Sequence, residues 1–207
     1  MTTRTGAAKP RKKKETVPDY LIRDEIDGEF FYYAGYQDVL DGKKTPEEIM
    51  GSSGLQSWIV SYFMKLFFTQ IGEEQYYAFT NEVGNHLGKK NNLGLDFALF
   101  DKKMLTPDKI TTRYVDVPPV LVVEVDVRID TNNLVEMDFV HKKTKKLLEK
   151  GTAKVLWIFT RSQRVLIATP GQDWLNVDWN RDIELLDGHN FNIGKALKAA
   201  GIEPEED

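Results

Sequence analysis

The stretch VLVVEVDVRID at 120–130 does most to limit what this chain can fold into. Its β-branched residues favour extended backbone. Strand alternation then puts Leu121, Val123, Val125 and Val127 on one face and Glu124 and Asp126 on the other. Two residues apart on a strand, those carboxylates lie roughly 7 Å from each other on the same side. Burying an ionised carboxylate without a partner costs several kcal/mol. The acidic face is therefore open to water, paired with bases or built around a cation. The same conflict recurs upstream in LGLDFALF (93–100), where Leu95, Phe97 and Leu99 share one face and Asp96 and Ala98 take the other.

The flanking sequence supplies the other elements. Tyr20–Tyr33 reads as two short strands about an Asp27-Gly28 turn. Thr45-Pro46-Glu47-Glu48 combines a capping hydroxyl, a proline at the first helical position and a reciprocal glutamate, which predicts a short helix. Apolar residues from Leu55 to Phe67 recur every three or four positions and predict a helix running up to Gly72. Val60, Met64 and Phe68 widen its apolar face, which implies deep burial, with a homodimer contact as the alternative. Strands are expected over 75–83, 95–101 and 120–127, and a helix from about Leu134 to Lys150, ended by Gly151. A hairpin of KVLWIFT (154–160) and RVLIATP (164–170) follows, then irregular to strand-like chain to Leu186 and a last short helix capped by Asn192. This order predicts an α/β domain with a mixed central sheet flanked by helices.

With 207 residues the chain can bury one real core. It has no cysteine, which excludes disulfides, thiolate metal sites and cysteine nucleophiles. His86, His141 and His189 lie far apart, so a histidine-rich metal site is not expected. No signal peptide or spanning apolar run is visible, and the expected setting is the reducing cytoplasm with no membrane partner. Charge is uneven. Residues 1–15 hold six bases and one acid, and the remainder carries 22 bases against 31 acids. The expected organisation is a disordered basic tail at 1–17, a single domain at 18–201 and an acidic tail at 202–207. An acidic body argues against avid, sequence-independent duplex binding, but an acidic pocket can hold a divalent cation.

One lysine stands out. On the helix at 138–150, Phe139, Val140, Leu147 and Leu148 occupy the inward positions of the first and third turns, and Lys143 and Thr144 those of the second. Lys143 thus takes a place where leucine is expected. Either it snorkels to solvent, or its ammonium is delivered to the acids of the preceding strand.

Asp96, Glu124-Val125-Asp126 and Lys143 on the following helix together resemble the PD-(D/E)xK nuclease superfamily, most of all its Uma family of restriction-endonuclease-like proteins, in which the lysine has moved from strand to helix. The likeness runs from Tyr20 to Leu197. It includes IDGE (26–29), EEIMGSSGLQS (47–57), TNEVGNHL (80–87), VPPVLVVEVD (117–126) and KTKKLLEKG with KVLWIFT (143–160). Two positions depart from the superfamily pattern: Leu95 replaces the proline that often precedes the first acid, and Asp126 stands at the strand lysine position.

The resemblance implies a restriction-endonuclease-like fold and an Mg²⁺-dependent endonuclease, with Mn²⁺ as a substitute, acting on nucleic acid, expected to be DNA. Asp96 and Glu124 would bind the metal, Lys143 would position the attacking water, and the Val125 carbonyl would add a ligand. Asp126 would add an outer contact or a second-metal ligand, with Glu82 and Glu29 as accessory acids. A homodimer would suit double-strand cleavage. The rivals are a catalytically silent nucleic-acid- or partner-binding module on the same fold, and an interaction protein working through the helix at 55–71. Gly84, Gly88, Lys89 and Lys90 form a basic loop that could approach a phosphate backbone, and Trp174 and Trp179 either stack a base or pack a core edge.

Overall fold

The computed structural model describes residues 17–126 and 134–204. The basic tail to Thr16 and the end of the acidic tail lie outside the described residues.

The chain opens with an antiparallel hairpin of β1 (Ile22–Ile26) and β2 (Glu29–Tyr32). Asp27 and Gly28 have φ of 52° and 83°, the two positive values that a type I′ turn needs. Two short helices follow, α1 (Tyr36–Leu40) and α2 (Pro46–Met50). At the start of α2 the Glu48 carboxylate accepts the Thr45 N–H at 2.6 Å, as the capping sequence predicts. Helix α3 (Gly54–Leu66) is capped by Ser53, whose hydroxyl accepts from the Gln56 N–H, and it runs into a π-type turn over Phe67–Ile71. The long strands β3 (Tyr76–His86) and β4 (Asn92–Asp101) lead to β5 (Leu121–Asp126). Then come α4 (Leu134–Glu149), β6 (Lys154–Phe159), β7 (Arg164–Ala168) and β8 (Leu175–Asp178). A two-stranded ribbon of β9 (Ile183–Leu186) and β10 (His189–Phe191) precedes α5 (Ile193–Ala199).

The eight-stranded sheet is ordered β2-β1-β4-β5-β6-β7-β8, with β3 on β4. It is mixed: β5 and β6 are parallel, and the other pairs are antiparallel. Parallel neighbours need a crossover, and α4 provides it. Each sheet face has its own core. On one side Ile59 and Phe63 of α3 and Ile193 and Leu197 of α5 pack on Phe97, Val123, Val125 and Ile158. On the other, Val140 and Leu147 of α4 pack with Val122, Val155 and Trp157. The broad apolar face of α3 is used within the chain: Phe63 meets both Phe97 and Phe191, and Phe68 is the exposed member. Among the described residues no helix is long and apolar enough to cross a membrane.

Two features set up the site. The β4–β5 ladder stops at Phe97–Val123, and β1 reaches β4 at one pair, Glu25–Asn92, so the sheet forks between them. On the far edge of β4, β3 bulges: Thr80 pairs with Phe97 and Val83 with Leu95, leaving Asn81 and Glu82 opposite Asp96. Both bulge residues have positive φ, 64° and 50°, a conformation that costs roughly 1 kcal/mol or more for a residue with a Cβ. The expected alternation on β4 is broken at Asp96. Leu95 packs with Ala98 and Phe100 on the α4 side, while Phe97 and Leu99 belong to the opposite core.

Candidate active site

In the fork, backbone groups that a continuous ladder would satisfy must find other partners. Side chains supply them. Asp96 Oδ2 accepts the Val125 N–H at 2.8 Å. Asp24 Oδ1 accepts the Gly94 N–H at 2.8 Å, and the Lys143 ammonium donates to the Gly94 carbonyl at 2.7 Å. The sheet thus opens and fills the gap with two carboxylates and an ammonium.

Lys143 arrives there because α4 keeps its helical spacing. Val140, Lys143, Thr144 and Leu147 are all fully buried on its inward face. The Trp157 indole donates to the Thr144 hydroxyl at 2.8 Å and fixes the helix against β6. The ammonium lies 3.0 Å from Glu124 Oε2 and 3.3 Å from Asp24 Oδ2, with the rings of Phe139 and Trp157 beside it. Counting the Gly94 carbonyl, three acceptors surround its three donors. Burial pulls its pKa down, but Asp24 and Glu124 outweigh burial and hold it above the ordinary lysine value. Lys143 is a charged group inside the cluster and not a snorkelling one.

Glu124 is fully buried on β5. Burial pushes its pKa up to about 8 against the pull of Lys143, and Asp96 adds to the rise. Its Oε2 faces Lys143, while Oε1 is buried with no hydrogen-bond partner. Asp96 keeps capacity as well: beyond the Val125 N–H it meets the Gln56 amide at 3.4 Å from each oxygen.

Arg23 covers the cluster. Its guanidinium lies 3.7 Å from both Glu124 and Asp126 and 3.9 Å from Asp24, and rests over the Phe139 ring. It lines a cleft of about 260 Å³ together with Tyr33, Gln56, Glu82, Asp126 and Phe139. Asp126, at the end of β5, reaches the cleft with 11% of its side chain exposed.

The structure therefore brings Asp96, Glu124, Lys143 and Asp126 together. The main chain of Val125 enters through its N–H. Glu82 stands apart on the bulge, lining the cleft and accepting from the Tyr33 hydroxyl at 3.1 Å. Burial, with Glu82 beside it, pushes that phenol up to about 12. Glu29 lies at the surface, paired with Lys142 at 2.8 Å. Trp179 is buried in the core, and Trp174 packs edge-on against His141.

Sequence reasoning missed Arg23, Asp24 and Gln56. Asp24 had a signal: it shares strand parity with Ile22 and Ile26, the position of an inward residue. Arg23 and Gln56 had none, because a polar residue at either position fits the solvent-facing side of its strand or helix.

Among the described residues no group of three or more His, Asp or Glu side chains is placed to hold a metal ion. What fits a divalent cation is the pair Asp96 and Glu124. Both offer hard oxygens, one of them buried and unpartnered, and Mg²⁺ is commonly bound through one or two carboxylates with waters completing its shell. Among the described residues, four carboxylates against two cationic side chains also leave the cluster with negative charge to spare.

No protein-family model and no curated protein matches the chain. Among solved structures, a candidate nuclease of the DUF820 family from Anabaena variabilis aligns with it at a TM-score of 0.59, covering 84% of this chain and 89% of that one at 14% identity. The fold is thus restriction-endonuclease-like, an α/β domain with a mixed central sheet flanked by helices.

Proposed function

We propose that this chain is a metal-dependent endonuclease of the PD-(D/E)xK superfamily, close to its Uma family, that hydrolyses phosphodiester bonds in nucleic acid, with DNA the first substrate to test. One observation carries the reading: Asp96, Glu124 and Lys143, from three elements, meet in a sheet fork next to a cleft. The fold shared with a candidate nuclease supports it.

In this reading Asp96 and Glu124 hold Mg²⁺ or Mn²⁺. Bound there, the cation would polarise the scissile phosphate and make attack by water easier. The chain's own groups do the rest. Lys143 holds Glu124 in place and, by releasing one of its three acceptors, orients the attacking water against the developing charge. Asp96 is oriented by the Val125 N–H and the Gln56 amide. Asp126 and the Val125 carbonyl complete the cation's surroundings, and Glu82 faces the cleft as an accessory acid.

A silent nucleic-acid-binding module is the second reading. It is favoured by how fully Lys143, Asp24 and Asp96 are engaged in closing the fork. Nicking of plasmid and cleavage of single-stranded DNA with Mg²⁺ or Mn²⁺ separates the two. Metal-dependent cleavage by the wild type, lost in Glu124→Ala and in Lys143→Ala, is the expected result. Cleavage that persists in Glu124→Ala would overturn the mechanism, and a folded wild type inert on every substrate would favour the silent module.

A further inference from the structure

Among the described residues two cationic side chains serve the acidic cluster, and they are held differently. Lys143 is fully buried at 2.7–3.3 Å from three oxygens. The Arg23 guanidinium is 3.7–3.9 Å from its carboxylates, beyond hydrogen-bond length, with 20% of its side chain exposed on the cleft wall. Arg23 is therefore the more loosely held cation, with no hydrogen bond to these carboxylates and with open space beside it. Its neighbours include the carboxylates that would take a divalent ion: Glu124 and Asp126 lie within 4 Å, and Asp96 contributes to its field. One oxygen of Glu124 stays buried and unsatisfied by either side chain.

Resting on the metal-dependent reading above, we propose that Arg23 occupies the seat of the divalent cation, so that guanidinium and metal ion exclude one another. A single positive charge spread over a planar head neutralises the cluster incompletely. A doubly charged ion of small radius does so better and drives the side chain out into the cleft. There a phosphate of bound nucleic acid gives Arg23 a new, bidentate partner. Cation and nucleic acid then favour each other's binding, by the reciprocity of linked equilibria. Arg23 is in this sense a positioning residue, keeping the acids in place until the cation replaces it.

Mn²⁺ titration of the full chain by calorimetry, without nucleic acid, tests this. Arg23→Met keeps the stem and removes the charge, and it should bind Mn²⁺ about tenfold more tightly than wild type. Arg23→Lys retains a charge but cannot span three carboxylates; it should also bind more tightly, by a smaller factor, and it serves where the methionine variant does not fold. Affinity unchanged or weakened in the folded variants, with wild-type binding still abolished by Glu124→Gln, would overturn the proposal alone. No Mn²⁺ binding in wild type or in either Arg23 variant would overturn the metal-dependent reading together with it.

Discussion

Replacing Lys143 by methionine gives the sharpest test of the cluster's energetics, because it needs no substrate. The methionine chain fills the space of the lysine stem, so the change removes charge and donors and leaves little cavity. At an effective dielectric constant of about 20, an ammonium at 3.0 Å from Glu124 and 3.3 Å from Asp24 gains about 5 kcal/mol from each carboxylate when both are ionised. Against this stands a desolvation cost of several kcal/mol for the buried ammonium. Breaking a buried pair from one side costs about 3–5 kcal/mol net, a large part of the roughly 5–15 kcal/mol that stabilises a domain. The cost must also depend on pH. The Lys143 pKa is raised, so its stabilisation is fully present below the ordinary lysine value and is lost only above it. Glu124 ionises near pH 8, so its attraction to Lys143 grows through that region. Urea unfolding followed by tryptophan fluorescence should therefore show a larger wild-type-minus-variant difference at about pH 9 than at about pH 6. A variant within about 0.5 kcal/mol of wild type at both values would refute a buried, charged Lys143.

Three further outcomes follow from the same geometry. Asp96→Ala leaves the buried Val125 N–H without its acceptor and should cost about 1–3 kcal/mol in urea unfolding, while Asp96→Asn, which keeps an acceptor, should recover most of it; equal losses would refute the hydrogen-bonding role. In the wild type, the folded state holds the Glu124 proton from its ordinary value of 4.5 up to about 8, so stability should fall as pH rises through that window. Glu124→Gln should lack this component, and parallel pH profiles would contradict it. Glu82→Gly removes a side chain from a φ of 50° and should leave stability unchanged or raise it by up to about 1 kcal/mol, measured as a shift in Tm; a clear loss would mean that Glu82 contributes more by its contact with Tyr33 than its backbone costs.

How much of this was legible in the sequence depended on whether a residue's signal was local. Lys143 was visible because a helix of four turns has a strict period, and a lysine in an apolar row violates it. Asp96 and Glu124 were visible because strand alternation exposes acids within valine and leucine runs. Asp24 broke the alternation too, but its strand is short and its hairpin reads as a surface one, so the violation did not stand out. Its role is created by the β1–β4 junction at Glu25–Asn92, a contact across 67 residues that no local pattern encodes. The Asn81–Glu82 bulge was equally hidden: neither residue is a glycine, and the strain exists only because Leu95, Asp96 and Phe97 set the register opposite. The face of Leu95 was misassigned because alternation was carried through Asp96, where β4 leaves the β5 ladder.

The bond between Trp157 and Thr144 has a consequence for how such a chain can change over generations. Each residue of slip along α4 would turn its side chains by about 100° and carry Lys143 away from the acids. That slip is blocked by an anchor one residue from the lysine, fastened to β6 and independent of whatever joins β5 to α4. Insertions and deletions between Asp126 and Leu134 can therefore accumulate without altering the helix's rotational setting. Lineages are free to vary that connection while inheriting the placement of Lys143 against Glu124 and Asp24 unchanged.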